Sequence, residues 1–116
     1  MDKGDLIMIR EAQFILPSEC SVHTALQAEL LGLFGGFTVQ EARGAWRDDV
    51  GIVHWDNNYI YTVAADYAVE PPDLELSKLI ELRLLVRRYG ANANQLSVYF
   101  KRPDGVVEFL EPTPDF

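Results

Sequence analysis

Residues 6–16 carry apolar side chains on both faces of a period-2 pattern. Leu6, Met8, Ala12, Phe14 and Leu16 share one face, and Ile7, Ile9 and Ile15 the other. A strand of that kind belongs in the middle of a sheet covered on both sides. Pro17 ends it, because proline has no N–H to give to a ladder. The rest of the chain must supply neighbours and cover for this segment.

The following segments are candidates for both. Ser18 or Ser21 can cap a helix reaching about Phe34, in which Val22, Leu26, Leu30 and Leu33 recur at helical spacing. Gly35-Gly36 is its left-handed stop. Residues 37–46 read as a strand with a bulge around Ala42-Arg43-Gly44. A turn at residues 48–51, a short strand at 52–55, a second turn at Asp56-Asn57-Asn58 and a longer strand at 59–68 follow. Pro71-Pro72-Asp73 opens a second helix over roughly residues 74–89, closed by Gly90. Residues 95–101 alternate with Leu96, Val98 and Phe100 inward, and Arg102-Pro103-Asp104-Gly105 turns the chain into a last strand at 106–110. Pro112 and Pro114 mark residues 111–116 as a loose tail.

This order predicts an α+β fold of the ferredoxin-like split β-α-β kind. Two helices lie on one face of a mainly antiparallel sheet, with an added C-terminal hairpin, in a single domain over residues 1–116. The bare sheet face then needs a cover. A second copy burying part of residues 59–67 is the expected one, so a homodimer is expected.

Composition narrows the functional classes. With 48% hydrophobic and 24% charged residues in 116, the chain is an ordinary globular domain. Ten Lys and Arg against eighteen Asp and Glu give a net charge of −8, which repels a polyphosphate backbone and argues against nucleic acid as a partner. The single Cys20 cannot form an internal disulfide, which suits a reducing compartment. Met1-Asp2-Lys3-Gly4-Asp5 has no secretory character, and no apolar run approaches the ~20 residues of a membrane span. A cytoplasmic protein without a membrane partner is expected.

Gly36-Phe37-Thr38-Val39, Gly44-Ala45-Trp46 and Gly51-Ile52 together follow a G-x-T-V … G-x-W … G-x-I pattern. In this the chain resembles an uncharacterised family of short bacterial proteins on a ferredoxin-like scaffold. The resemblance implies the fold and carries no catalytic residue, and this chain lacks the secretory leader of some members.

Candidate chemistry is sparse. Only His23, His54 and Cys20 could hold a transition metal, at no ligand-pair spacing, so no metal or cofactor is expected. His54 and Asp56 share a strand face and form the nearest approach to an acid/base pair, although Asp56 also suits a turn. On the second helix, Arg83 and Arg87 border apolar stripes and need partners, either the chain's own carboxylates or a bound anion. Arg43, Trp46, Arg47, Trp55, Tyr59 and Tyr61 join guanidiniums to flat rings, a mixture that suits a planar charged ligand or a subunit interface. Within that group Arg47 is the expected charge anchor, with Trp46 or Tyr61 as stacking platform.

The leading expectation is a non-enzymatic homo-oligomer that binds a small anionic or aromatic ligand or a protein partner, as phage and prophage accessory proteins do. The alternative is a small enzyme of the dimeric ferredoxin-like barrel type, using His54 or a tyrosine as acid/base group.

Overall fold

The computed structural model describes residues 9–67 and 78–114. It is α+β, a five-stranded antiparallel sheet with two helices. In chain order the elements are β1 (Ile9–Pro17), α1 (His23–Phe34), β2 (Thr38–Arg47), β3 (Val53–Asp66), α2 (Lys78–Asn92), β4 (Val98–Lys101) and β5 (Val107–Leu110). The sheet runs β2-β3-β1-β4-β5, so the strand with two apolar faces does occupy the centre.

Alternation along β1 sets the layers. Ala12, Phe14 and Leu16 point into one core with Tyr61 and Val63 of β3 and Val98 and Phe100 of β4. Leu26 and Leu30 of α1 and Leu82, Leu85, Val86 and Tyr89 of α2 belong to that same core, so both helices cover one sheet face. A shared carboxylate joins the helices: Glu29 accepts hydrogen bonds from the Tyr89 hydroxyl and the Arg88 guanidinium. Those donors, Tyr89 first, hold the Glu29 carboxyl below the usual carboxylate range. Within residues 59–67, part of which was expected at a subunit interface, Tyr61, Val63 and Tyr67 are buried in the chain's own core. The other face carries half-buried Ile15 and Ile60 beside a Gln13–Thr62 hydrogen bond of 3.0 Å.

Neither Ser18 nor Ser21 caps α1. Its N-cap is Val22, with no side-chain cap. The first turn is held by the buried side chain of His23. Its Nε2 lies 2.8 Å from the Pro17 carbonyl, which can only accept, so Nε2 carries the proton. Nδ1 then accepts from the Tyr61 hydroxyl at 2.6 Å, and the tyrosine oxygen in turn accepts from Gln27 Nε2 at 3.1 Å. Cys20 Sγ donates to the same Pro17 carbonyl at 3.2 Å. Burial pushes the Tyr61 hydroxyl up, against the pull of Gln27. The helix ends as expected at Gly35, whose φ of 80° is left-handed and whose N–H reaches the Leu31 carbonyl.

Several boundaries differ from expectation. Asp56-Asn57-Asn58 is not a turn, because β3 runs unbroken through it. The β2–β3 register is continuous from Thr38↔Thr62 to Arg47↔Val53, so Gly44 is no bulge. Leu96, expected inward, is 96% exposed, since β4 begins only at Val98. Residues 111–114 have no regular structure yet are held to α2: Arg87 Nε donates to the Glu111 carbonyl and Thr113 N–H to the Arg87 carbonyl. The expected start of the second helix lies outside the described residues.

Gly90 does not close α2 but sits within it, and packing explains why. A Cβ there would lie 2.5 Å from Val98 Cγ2, with Pro112 beyond. Val98 is buried and β-branched, so it cannot swing aside. Alanine should therefore cost more in overpacking than it gains in helix propensity. Gly90→Ala is expected to lose about 1–2 kcal/mol net in urea unfolding, and an unchanged or raised midpoint would contradict this packing. Tyr61→Phe keeps the ring stacked on Phe14, at 4.9 Å between centroids, but strands His23 Nδ1 and the Gln27 amide. The expected loss is about 1–3 kcal/mol by the same measurement.

Candidate functional site

β1 pairs with β3 only as far as Pro17↔Asn58. Beyond that point residues 53–57 of β3 pair with residues 43–47 of β2 alone, forming a two-stranded arm. The two faces of the arm carry different groups, because register partners share a face.

On the face continuous with the helix side lie Arg43, Ala45, Arg47, Trp55, Asn57 and Tyr59. The Arg43 guanidinium sits over the Trp55 ring, 4.8 Å from its centroid. Trp55 is nevertheless 63% exposed. On the opposite face Trp46 and His54 stack, with centroids 4.4 Å apart and planes at 17°. His54 does not pair with Asp56. Its Nε2 meets Asp48 Oδ2 at 2.8 Å. The other Asp48 oxygen accepts from the N–H groups of Val50 and Ile52, clamping the arm tip around Gly51 at φ 88°. The His54 hydrogen bond first, then the Ile52 N–H, hold the Asp48 carboxyl below its usual range. Trp46 and Arg47 thus point to opposite faces, and Trp46 cannot serve as platform for an Arg47-anchored ligand.

The remaining candidates fall elsewhere. Tyr61 is fully buried and bound to His23, so its ring face is not available for stacking. Tyr59 is half-buried, edge-on to His23 at 4.7 Å. Arg83 pairs with Glu108 of β5, and Arg87 binds the Glu111 carbonyl. Both lie toward the β4–β5 side of the sheet, with β1 between them and β3 and the arm. No three His, Cys, Asp or Glu converge on a metal position among the described residues. Nor is any described helix long and apolar enough to cross a membrane.

Where β1 stops, two clefts open at the root of the arm. One, of about 450 Å³, is lined by Ser18, Glu41, Ala42, Arg43, Asn57 and Asn58. The other, of about 390 Å³, lies between Pro17, Glu19, Trp55, Asp56 and Gln95. Ser18 N–H takes the Asn57 carbonyl at 3.0 Å, which shows that odd-numbered β3 residues turn their backbone groups toward this gap. The backbone N–H and C=O of Trp55, two residues on, therefore face the gap with no β1 residue opposite them. Sequence reasoning grouped Arg43 with Trp55 but missed the gap, which depends on β3 outlasting β1. It also missed the His23–Tyr61 pair, whose only local signal is Cys20-x-x-His23 directly after the strand-ending proline.

No family model matches the sequence, and no curated protein does. Solved structures do. A phage SAM lyase in complex with S-methyl-5'-thioadenosine superposes with a TM-score of 0.61 at 10% identity, over 89% of this chain and 89% of that one. A phage SAM lyase in its apo state gives 0.60 at 10% identity, over 100% of this chain and 97% of the other. At this identity the likeness shows the fold: the whole chain is built on the same scaffold as those proteins.

Proposed function

We propose that this chain binds S-adenosylmethionine in the gap beyond β1 and cleaves it, releasing S-methyl-5'-thioadenosine. The observation that carries the reading is the whole-length likeness to a phage lyase of that substrate, in both liganded and apo forms. The strand order also supports the ferredoxin-like split arrangement, since β3 lies between β1 and β2 and the helices share one face.

The chemistry of the gap suits the ligand. One side of Trp55 is backed by Arg43, and the other side is a platform for adenine. The unpaired backbone N–H and C=O of Trp55 and the Gln95 amide are donors and acceptors for the edge of the base. Glu19 and Asp56 supply negative charge to a ligand that carries a sulfonium and an ammonium. In the cleavage the C–S bond to the aminobutyrate arm breaks and its electron pair passes to sulfur, neutralising the sulfonium. The carbon left behind regains a bond from within the same molecule, by loss of a neighbouring proton or by attack of the ligand's own carboxylate. No second substrate is required. The protein's part is to hold the arm in a reactive conformation and keep water away.

Ligand binding without turnover is the second reading. It is favoured by the lining of the two clefts, which among the described residues includes no histidine, cysteine or tyrosine. Purified protein incubated with S-adenosylmethionine and analysed by liquid chromatography separates the two. The expected result is time-dependent S-methyl-5'-thioadenosine above the spontaneous rate, lost in Trp55→Ala. Removing the platform should weaken binding by about 1–3 kcal/mol, roughly fivefold to 150-fold in Kd. Saturable binding without product would favour the second reading, and neither binding nor product would overturn both.

A further inference from the structure

β4 stops short along β1, just as β1 stops short along β3. The two pair only at Gln13↔Lys101 and Phe14↔Phe100, although β1 begins at Ile9. Continuing that register sets Glu11 opposite Pro103, which has no N–H to offer and lies in the β4–β5 turn. Two hydrogen bonds fix where the backbone groups point. Ser18 N–H donates to the Asn57 carbonyl, so even-numbered residues along β1 turn toward β3 and odd-numbered ones toward β4. Arg102 N–H donates to the Val106 carbonyl at 2.8 Å, so Lys101 turns its own groups back toward β1. The Glu11 N–H therefore points into the space beyond the end of β4, where no described strand meets it.

That space is a cleft of about 460 Å³ whose lining includes Arg10, Glu11, Gln13, Lys101, Arg102 and Pro103. Three cations stand there against one carboxylate, in a chain whose net charge is −8. They come from different sides of the sheet. Arg10 has the parity of buried Ala12 and Phe14, so it lies on the helix side. Arg102 is on that side too, where Asp104 and Glu108 take its guanidinium. Asp104 also accepts the Val106 N–H at 3.1 Å, so Arg102 is held in place before any ligand arrives. Lys101 stands on the open face with its register partner Gln13. Arg10 and Lys101 are exposed, and neither has a carboxylate partner among the described residues.

We propose that this cleft binds a phosphate group. Cations on both sides of the sheet, with an N–H in its plane, are donors in non-coplanar directions. That arrangement matches a tetrahedral oxyanion better than a planar carboxylate. Arg102 is the fixed contact, and Arg10 and Lys101 swing in from solvent to close on the ligand. The Glu11 carboxylate opposes them from the lining and sets a limit on affinity. The site is separate from the gap assigned to S-adenosylmethionine, because the two lie at opposite ends of β1.

Amide NMR during titration with sodium phosphate, against sodium chloride of matched ionic strength, tests the site without reference to any lyase activity. The Glu11 amide should shift saturably with phosphate and stay still with chloride. Arg10→Gln and Lys101→Gln, both at exposed positions, should each weaken binding about fivefold to tenfold, and Glu11→Gln should tighten it. Arg47→Gln and Glu41→Gln change the net charge equally but sit on β2, and should leave affinity unchanged. S-adenosylmethionine should not compete, whether or not it is cleaved. Phenyl phosphate separates the sources of the group: tighter binding than the inorganic ion assigns the site to a phosphate ester, and equal or weaker binding assigns it to the free ion. A Glu11 amide that does not move, shifts that follow ionic strength alone, cleft variants that bind as wild type does, β2 variants that alter affinity as much as the cleft variants, or displacement of phosphate by S-adenosylmethionine would each overturn the site.

Discussion

β1 stops at Pro17, and β3, which pairs with it, does not stop opposite. That mismatch in strand length is the constraint on which the arm and the candidate site depend. While β1 is present, β3 is a central strand with a helix-covered face. Beyond Asn57 it has a neighbour on one side only, its backbone groups on the other side face the gap, and both faces of the two-stranded arm are open. Proline at the boundary has no donor with which to prolong the ladder, while the chain after it turns away to start α1. The His23–Pro17–Tyr61 hydrogen bonds then pin that departure in place. A cleft at the root of the arm is the geometric remainder.

Much of the body of the fold could be read from residue order alone. Two apolar faces placed β1 in the middle, and Gly35 marked the end of α1. Those features rest on local periodicity or on one residue's backbone freedom. The errors have a common cause as well. Asp56-Asn57-Asn58 has turn chemistry, but pairing with residues 42–44 of β2 holds it extended. Gly90 looks like a helix stop, yet it is there for the approach of Val98 and Pro112, which are remote in sequence. At the candidate site, an unbroken register sets Arg43 and Arg47 on one face with Trp46 on the other, where a bulge at Gly44 was expected to interrupt the alternation. The partners of these side chains were not legible: His54 pairs across the tip with Asp48, not along its strand with Asp56. Such pairings depend on where a hairpin reverses, and two residues of error there change them all.

The acidic surplus of the chain is distributed in a way that matters for ligands. Several cations are spent on structure: Arg88 joins Glu29, Arg83 joins Glu108, and Arg102 joins Asp104 and Glu108. These pairs are partly exposed, and their value lies more in position than in net stability: the first two fix α2 against α1 and β5, and the Arg102 pairs hold the β4–β5 turn. The arm, by contrast, carries Arg43 over a tryptophan and Arg47 near the tip, both exposed. With Asp48, Asp49 and Asp56 beside them, the projection is one of mixed charge with exposed tryptophan rings.

The central position of β1 has a further consequence, for the order in which the molecule assembles. Its partners are far away in the chain: Phe14 lies opposite Tyr61 on one side and Phe100 on the other. The β2–β3 hairpin, in contrast, closes over the few residues between Arg47 and Val53 with a tip clamped by its own aspartate. Loop-closure entropy favours the hairpin as an early event and makes the insertion of β1 between two distant strands a late one. Until that insertion, the apolar side of β3 has no cover and the edge later taken by β1 is open. The hairpin that gives the finished protein its projecting arm is thus also the part of the sheet most able to meet another chain before its own is complete.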